Sequence, residues 1–132
     1  MKSIEKNISL IFSVLIVIPI GFIYGFQPNL LFDIQLQTID EHNVFKAIMG
    51  LYFGFSAFWI LGIFRNNFWQ IAIVSNFIFM FGLAFGRMIS IICDGIPSLL
   101  FVFGTFGEFI LGFYSFIIWK KLSHNCKVSQ HY

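Results

Sequence analysis

Charged residues divide this chain into four long segments that carry almost no charge. Positions 7–32, 47–64 and 66–86 contain no charged residue, and positions 95–119 contain only Glu108. A helix needs about 20 mostly apolar residues to cross roughly 30 Å of hydrocarbon, so each segment is long enough to span a bilayer. The pattern therefore predicts four membrane-spanning helices.

The composition excludes the other structural classes. Only 11% of the residues are charged, whereas 58% are apolar and 20 are phenylalanines. A soluble domain carries about 25% charged residues, and the few charges here cannot cover the surface of a domain of this size. A soluble globular domain, a disordered chain and a disulfide scaffold are therefore excluded.

We expect one all-α domain over residues 1–132, an integral membrane bundle of four antiparallel helices. The connection 27–44 is long and acidic, while the two later connections are tight turns that make consecutive helices antiparallel neighbours. Pro97 suits the first turn of the last helix, where its missing N–H has no partner to lose. A short basic cytoplasmic tail is expected at 120–132. The expected helices lie near 8–26, 45–64, 69–92 and 97–119.

Six of the eight basic residues fall on one side of this arrangement, and acidic residues fall mainly on the other. The positive-inside rule then predicts a multi-pass protein of the cell membrane, with both termini in the cytoplasm. This asymmetry accounts for the net charge of +2, which gives no reason to expect nucleic acid as a partner. The basic residues on the predicted cytoplasmic side are Lys2, Lys6, Arg65, Lys120, Lys121 and Lys127.

Neither cysteine has the spacing of a metal site, and we expect no metal and no cofactor. Cys93 and Cys126 fall at opposite ends of the predicted bundle, which excludes a disulfide between them. The tail offers one alternative, a soft metal ion held by His124, Cys126 and His131.

Two charged residues, Arg87 and Glu108, fall inside predicted spans. A charge at the centre of a bilayer costs about 2.5–3.5 kcal/mol on insertion scales, so such residues usually have a structural or functional role. Along the third helix, Asn76, Arg87 and Asp94 are 11 and 7 residues apart, which places them in a stripe about 40° wide. Ser90 borders this stripe.

The depths of the two charges also agree. Arg87 lies about 10 Å before the turn at Asp94, and Glu108 lies about 15 Å beyond Ser98 on the next helix, at a rise of 1.5 Å per residue. Helical side chains lean toward the N-terminus, so the two charged ends should meet as a buried ion pair. We expect one polar cluster, a ligand site or an ion pair, in the outer half of the bundle. Its candidate residues are Arg87, Glu108, Asp94, Lys46, Asn76 and Ser90, beside an outer turn shaped by Gly95 and Pro97.

Two glycine pairs could allow helices to approach closely. They are Gly50-x-x-x-Gly54 on the second helix and Gly82-x-x-x-Gly86 on the third. Such spacing brings helix backbones together in membranes. We expect these pairs to serve packing within the chain rather than a dimer.

The third helix and the turn after it carry a distinctive run from Gly86 to Ser98, with the pattern G-R-x-x-S-x-x-x-D-G-x-P-S. This run resembles the signature of a small bacterial membrane-protein family, number 4345 in the domain-of-unknown-function series. Residues 43–52 resemble the start of that family's second helix, where arginine is usual in place of Lys46, and Glu108 matches an acidic residue of its last helix. The resemblance covers nearly the whole chain and implies a four-helix integral membrane protein without an assigned activity.

Several functions remain open for this pattern. We expect a small membrane protein whose polar cluster binds a lipid headgroup or a small amphipathic ligand, or supports a membrane partner protein. The main alternative is a proton-coupled transporter or carrier subunit, with Glu108 as the proton relay. An enzyme has little support, because no nucleophile or metal constellation accompanies the acid–base pair. The ion pair could also serve only to fix the register of the helices. The oligomeric state stays open.

Overall fold

The computed structural model describes the backbone of residues 3–128 and the side chains of residues 4–123. It contains four α-helices and one short 3₁₀ turn, Pro28–Leu30, and residues 3–128 form no β-strand. This confirms the expected four-helix fold. The tail residues His124, Cys126, Lys127 and His131, and Lys2 at the other terminus, have side chains outside the described part of the chain. The helices are α1 Ser3–Phe26, α2 Ile39–Phe64, α3 Asn66–Asp94 and α4 Leu99–Val128.

All four helices extend beyond the expected bounds at one end or both, since uncharged runs mark the apolar part of a helix and not its ends. The second helix begins six residues earlier, at a capping box. There the Thr38 Oγ1 accepts a hydrogen bond from the Glu41 N–H at 3.2 Å, and a carboxylate oxygen of Glu41 accepts one from the Thr38 N–H at 3.0 Å. The fourth helix runs through Lys120 and Lys121.

The turn between α3 and α4 differs from the expectation in one detail. Pro97 is not in the first turn of α4, because the helix begins at Leu99 and the Ser98 carbonyl accepts its first hydrogen bonds. Gly95 ends α3 with a φ of 106°, a left-handed conformation that glycine adopts without strain. The turn therefore depends on glycine at this one position.

Consecutive helices pack side by side and antiparallel, whereas α1 and α4 contact each other only sparsely. The Lys6 ammonium donates to the Asn66 side chain at 2.7 Å, so α1 and α3 begin at the same end of the bundle. We call this the termini end. The opposite end carries the 3₁₀ turn and the Gly95 turn.

Close approach of the helices occurs at glycines other than the predicted pairs. A Cβ on Gly50, Gly54, Gly82 or Gly86 would meet no atom within 4 Å, so the expectation that these pairs pack within the chain is wrong. The close contacts are at four other glycines, Gly21, Gly25, Gly62 and Gly112. A Cβ on Gly62 would collide with that of Ala72, and one on Gly112 would lie 3.0 Å from the Phe81 ring. Spacing alone did not reveal which helix face turns inward.

All four helices are long and apolar enough to cross a membrane, with mean hydropathies from 1.7 to 2.4 over their most apolar windows. Large apolar side chains also cover the outside of the bundle; Phe64 and Phe103, for example, are 79% and 69% exposed. Acyl chains are a favourable solvent for such a surface and water is not. These features are those of a multi-pass membrane protein.

Candidate functional site

Arg87 of α3 and Glu108 of α4 form an ion pair. The Arg87 Nε–H donates to both carboxylate oxygens of Glu108, at 3.0 Å each. The side chains are 21% and 13% exposed, so the pair is only partly buried. The pair expected to be buried in the bundle therefore lies at the wall of an open cleft.

Aromatic rings surround the guanidinium. Its central carbon lies 5.0 Å from the centroid of the Phe101 ring, and an Nη2 N–H donates to the Tyr24 hydroxyl at 3.4 Å. The ring of Phe32, from the connection after α1, stacks between Tyr24 and Phe101 at centroid distances of 5.0 and 4.5 Å. This stack joins α1 to α4 at the opposite end of the bundle and covers the cleft there.

A cavity of about 360 Å³ lies next to the ion pair and is lined by residues of all four helices. Apart from Arg87, Glu108 and two tyrosines, its lining is apolar. It includes Ile16 and Phe103, which are 49% and 69% exposed. Because α1 and α4 scarcely touch and both of these residues are exposed, the cavity opens sideways between the two helices.

The guanidinium has hydrogen-bonding capacity left for a ligand. Arginine carries five N–H groups, and within residues 4–123 Arg87 uses its Nε–H and one Nη2 N–H. The Tyr52 hydroxyl also lies against the guanidinium, so at least two N–H groups are available beside the cavity. The carboxylate of Glu108 balances the charge, so the site is close to neutral overall.

The other predicted site residues do not join this pair. Asp94 accepts a hydrogen bond from Ser90 at 2.9 Å, and both are exposed. Lys46 is also exposed and forms no salt bridge within residues 4–123. Asn76 is fully buried and accepts a hydrogen bond from Ser115 at 2.8 Å. The expectation that these residues form a single polar cluster is therefore wrong.

The reason lies in distance along the helix axis. Asn76 and Arg87 share a face of α3, but 11 residues separate them by about 16 Å. The residues of the outer turn, Gly95 and Pro97, are exposed and do not line the cavity. A shared face did not imply a shared site.

Sequence reasoning missed the aromatic part of the site. Tyr52 lines the cavity from α2 and is 5% exposed, and its hydroxyl in the middle of an apolar segment was a usable signal. Phe101 carried no signal, because it is one of 20 phenylalanines. No group of three His, Cys, Asp or Glu side chains that could hold a metal ion occurs among the described side chains.

The sequence model of one family, described as a domain of unknown function (DUF4345), matches residues 6–119. The chain belongs to the DUF4345 family. The match confirms the resemblance seen in the sequence and covers the ion pair, the aromatic stack and the cavity of this DUF4345 protein. No curated protein and no solved structure matches the chain.

Proposed function

We propose that this DUF4345 protein binds an amphipathic, lipid-like molecule in the cleft between α1 and α4. The polar end of the molecule would contact Arg87 and Glu108, and its apolar part would extend past Ile16 and Phe103 into the bilayer. The observation that supports this most directly is a cavity with apolar walls and one ion pair. Ligand sites commonly combine such walls with a few convergent polar groups, at volumes of about 300–1,000 Å³.

The charge balance of the site favours an uncharged head that accepts hydrogen bonds, such as an ester or hydroxyl group. The spare N–H groups of Arg87 would donate to its oxygen atoms. An anionic head would approach the Glu108 carboxylate at the same time as Arg87, and the repulsion would offset much of the attraction. We therefore expect a neutral amphiphile to bind more tightly than an anionic one.

Cavity filling tests the proposal. Gly104 lines the cavity, and a Cβ there would have no atom within 4 Å, so Gly104→Leu should fill the space without disturbing the helices. Gly82→Leu is the matched control, because Gly82 is equally unobstructed but lies outside the cavity. Native mass spectrometry of the full chain with added dioleoylglycerol would count bound molecules. We expect about tenfold weaker binding in Gly104→Leu and none of this loss in Gly82→Leu; equal binding by all three proteins would contradict the proposal.

The same assay tests the preference for a neutral head. Dioleoylphosphatidylglycerol has matched chains and a negative head. Glu108→Gln removes the counter-charge of Arg87, so this variant should bind the anionic lipid at least tenfold more tightly than the unmodified protein does. An unchanged ratio of the two lipids would refute the charge argument but leave the cleft as the binding site.

The carrier alternative rests on Glu108, whose carboxylate lies within a span beside the cavity. For that function, proteoliposomes should show a substrate-dependent proton flux that Glu108→Gln abolishes. For the membrane and its orientation we propose the bacterial inner membrane with cytoplasmic termini, a proposal supported by basic residues Lys6, Arg65, Lys120 and Lys121 at the termini end.

A further inference from the structure

Between the cavity and the termini end, each of the four helices carries one buried polar residue, and these four residues lie at the same depth in the bundle. Four of the cavity-lining residues, one on each helix, are Val17, Tyr52, Met80 and Leu111. One helical turn from each, about 6 Å toward the termini end, the chain has Ser13, Ser56, Asn76 and Ser115. We call these last four residues the polar layer.

The polar layer is buried but its hydrogen bonds are incomplete. Ser13, Asn76 and Ser115 are 0% exposed and Ser56 is 1% exposed. The Ser115 hydroxyl donates to the side-chain oxygen of Asn76. The hydroxyls of Ser13 and Ser56 and the side-chain nitrogen of Asn76 have no partner among the described residues. An unpartnered polar group in an apolar interior is expensive, because hydrocarbon offers it no hydrogen bond.

Serines in membrane helices have a simple way to avoid this cost. They can donate to a carbonyl of the preceding turn, as Ser75 and Thr105 do here at 2.8 and 2.9 Å. Ser13 and Ser56 do not. Their hydroxyls therefore remain available to a group from outside the helix backbone.

The remaining buried side-chain atoms without partners all lie on one side of the polar layer. Within residues 4–123 they belong to Asn7, Ser9, Trp69 and Trp119, all between the layer and the termini end. On the other side of the layer, the side chains of Val17, Met80 and Leu111 and the ring of Tyr52 separate it from the ligand cavity, and we call them the apolar floor. This one-sided distribution indicates access from the termini end.

We propose that the polar layer is an internal water site, with bound water bridging Ser13, Ser56 and the Asn76 amide inside the span. A buried water makes about three hydrogen bonds to groups that otherwise lack partners, and these three side chains supply that number. Water enters past Trp69 and Trp119, and the apolar floor separates it from the cleft. The site does not depend on a ligand in that cleft.

Nuclear magnetic resonance of the full chain in lipid nanodiscs tests the site directly. The Asn76 side-chain amide protons should show cross-peaks with water. The indole N–H of Trp59 is the control, because it is buried and donates to Ser75 at 3.1 Å, so it should show none. An Asn76 amide as silent as the Trp59 indole would overturn the proposal.

The midpoint of unfolding gives a second test, because serine-to-alanine variants should shift it in opposite directions with and without bound water. If water satisfies the hydroxyls, Ser13→Ala and Ser56→Ala remove hydrogen bonds and lower the midpoint, as Ser75→Ala must, since Ser75 is bonded in the structure. If the hydroxyls are unsatisfied, their removal relieves a cost and raises the midpoint. A midpoint that rises or stays unchanged in both variants would refute the water site, whatever the cleft binds.

Discussion

Breaking the Arg87–Glu108 pair from one side should destabilise the bundle more than breaking it from both. Arg87→Met leaves the Glu108 carboxylate without its counter-charge, and Glu108→Met leaves the guanidinium in the same state. The double variant removes both charges and avoids either cost. We therefore expect a large coupling free energy between the two substitutions.

The geometry sets the size of the coupling. Charges about 4 Å apart attract by about 4 kcal/mol at an effective dielectric constant of 20. The side chains are 21% and 13% exposed, so part of this attraction is screened. We expect a coupling free energy of about 2 kcal/mol, between the values typical of surface pairs and of fully buried ones.

Reversible unfolding in mixed detergent micelles, followed by circular dichroism, would measure the four corners of this double-mutant cycle. The Ser90–Asp94 hydrogen bond supplies a control cycle, because it joins exposed residues and should couple by less than about 0.5 kcal/mol. A coupling at Arg87–Glu108 no larger than that of the control would refute the argument that the cleft holds a strong pair.

Three further predictions concern the helices themselves. Thr38→Ala removes the capping box of α2 and should lower the free energy of unfolding by about 1 kcal/mol, whereas Thr38→Ser should preserve it; the same unfolding assay measures both. Gly62→Ala forces α2 and α3 apart at Ala72 and should cost about 1–3 kcal/mol, while Gly54→Ala meets no neighbour and should be neutral or stabilising; a similar loss in both would contradict the packing described. Single cysteines at positions 65 and 96, with Cys93 and Cys126 replaced by serine, test the orientation: an impermeant thiol reagent should label Ile96→Cys in intact cells but Arg65→Cys only after permeabilisation, and labelling of Arg65→Cys in intact cells would reverse the proposed orientation.

The positions of the helices could be predicted because a bilayer imposes one strong rule. Charges are costly in hydrocarbon, so long runs with almost no charge mark the spans, and the structure has its helices there. The ends of α2 and α4 could not be set by the same rule, because Asp40 and Lys120 are compatible with a helix outside the hydrocarbon. The capping residue Thr38 was the local signal for the start of α2.

The arrangement of polar groups was harder to predict, since it depends on the register between helices. Angular position along α3 grouped Asn76 with Arg87, although the structure pairs Asn76 with Ser115. Ser13 and Ser56 are unremarkable serines in apolar segments until contacts between the helices bring them level with Asn76. Sequence periodicity describes one helix at a time, and this layer is formed by four.

The sideways opening between α1 and α4 affects how the affinity of the cleft for a ligand should be expressed. A molecule that enters from among the acyl chains never dissolves in water on its way to Arg87, so its aqueous solubility does not limit the encounter. The relevant concentration is its mole fraction among the surrounding lipids. Occupancy would then follow the composition of the membrane and would change when that composition changes, even if the amount of protein stays constant.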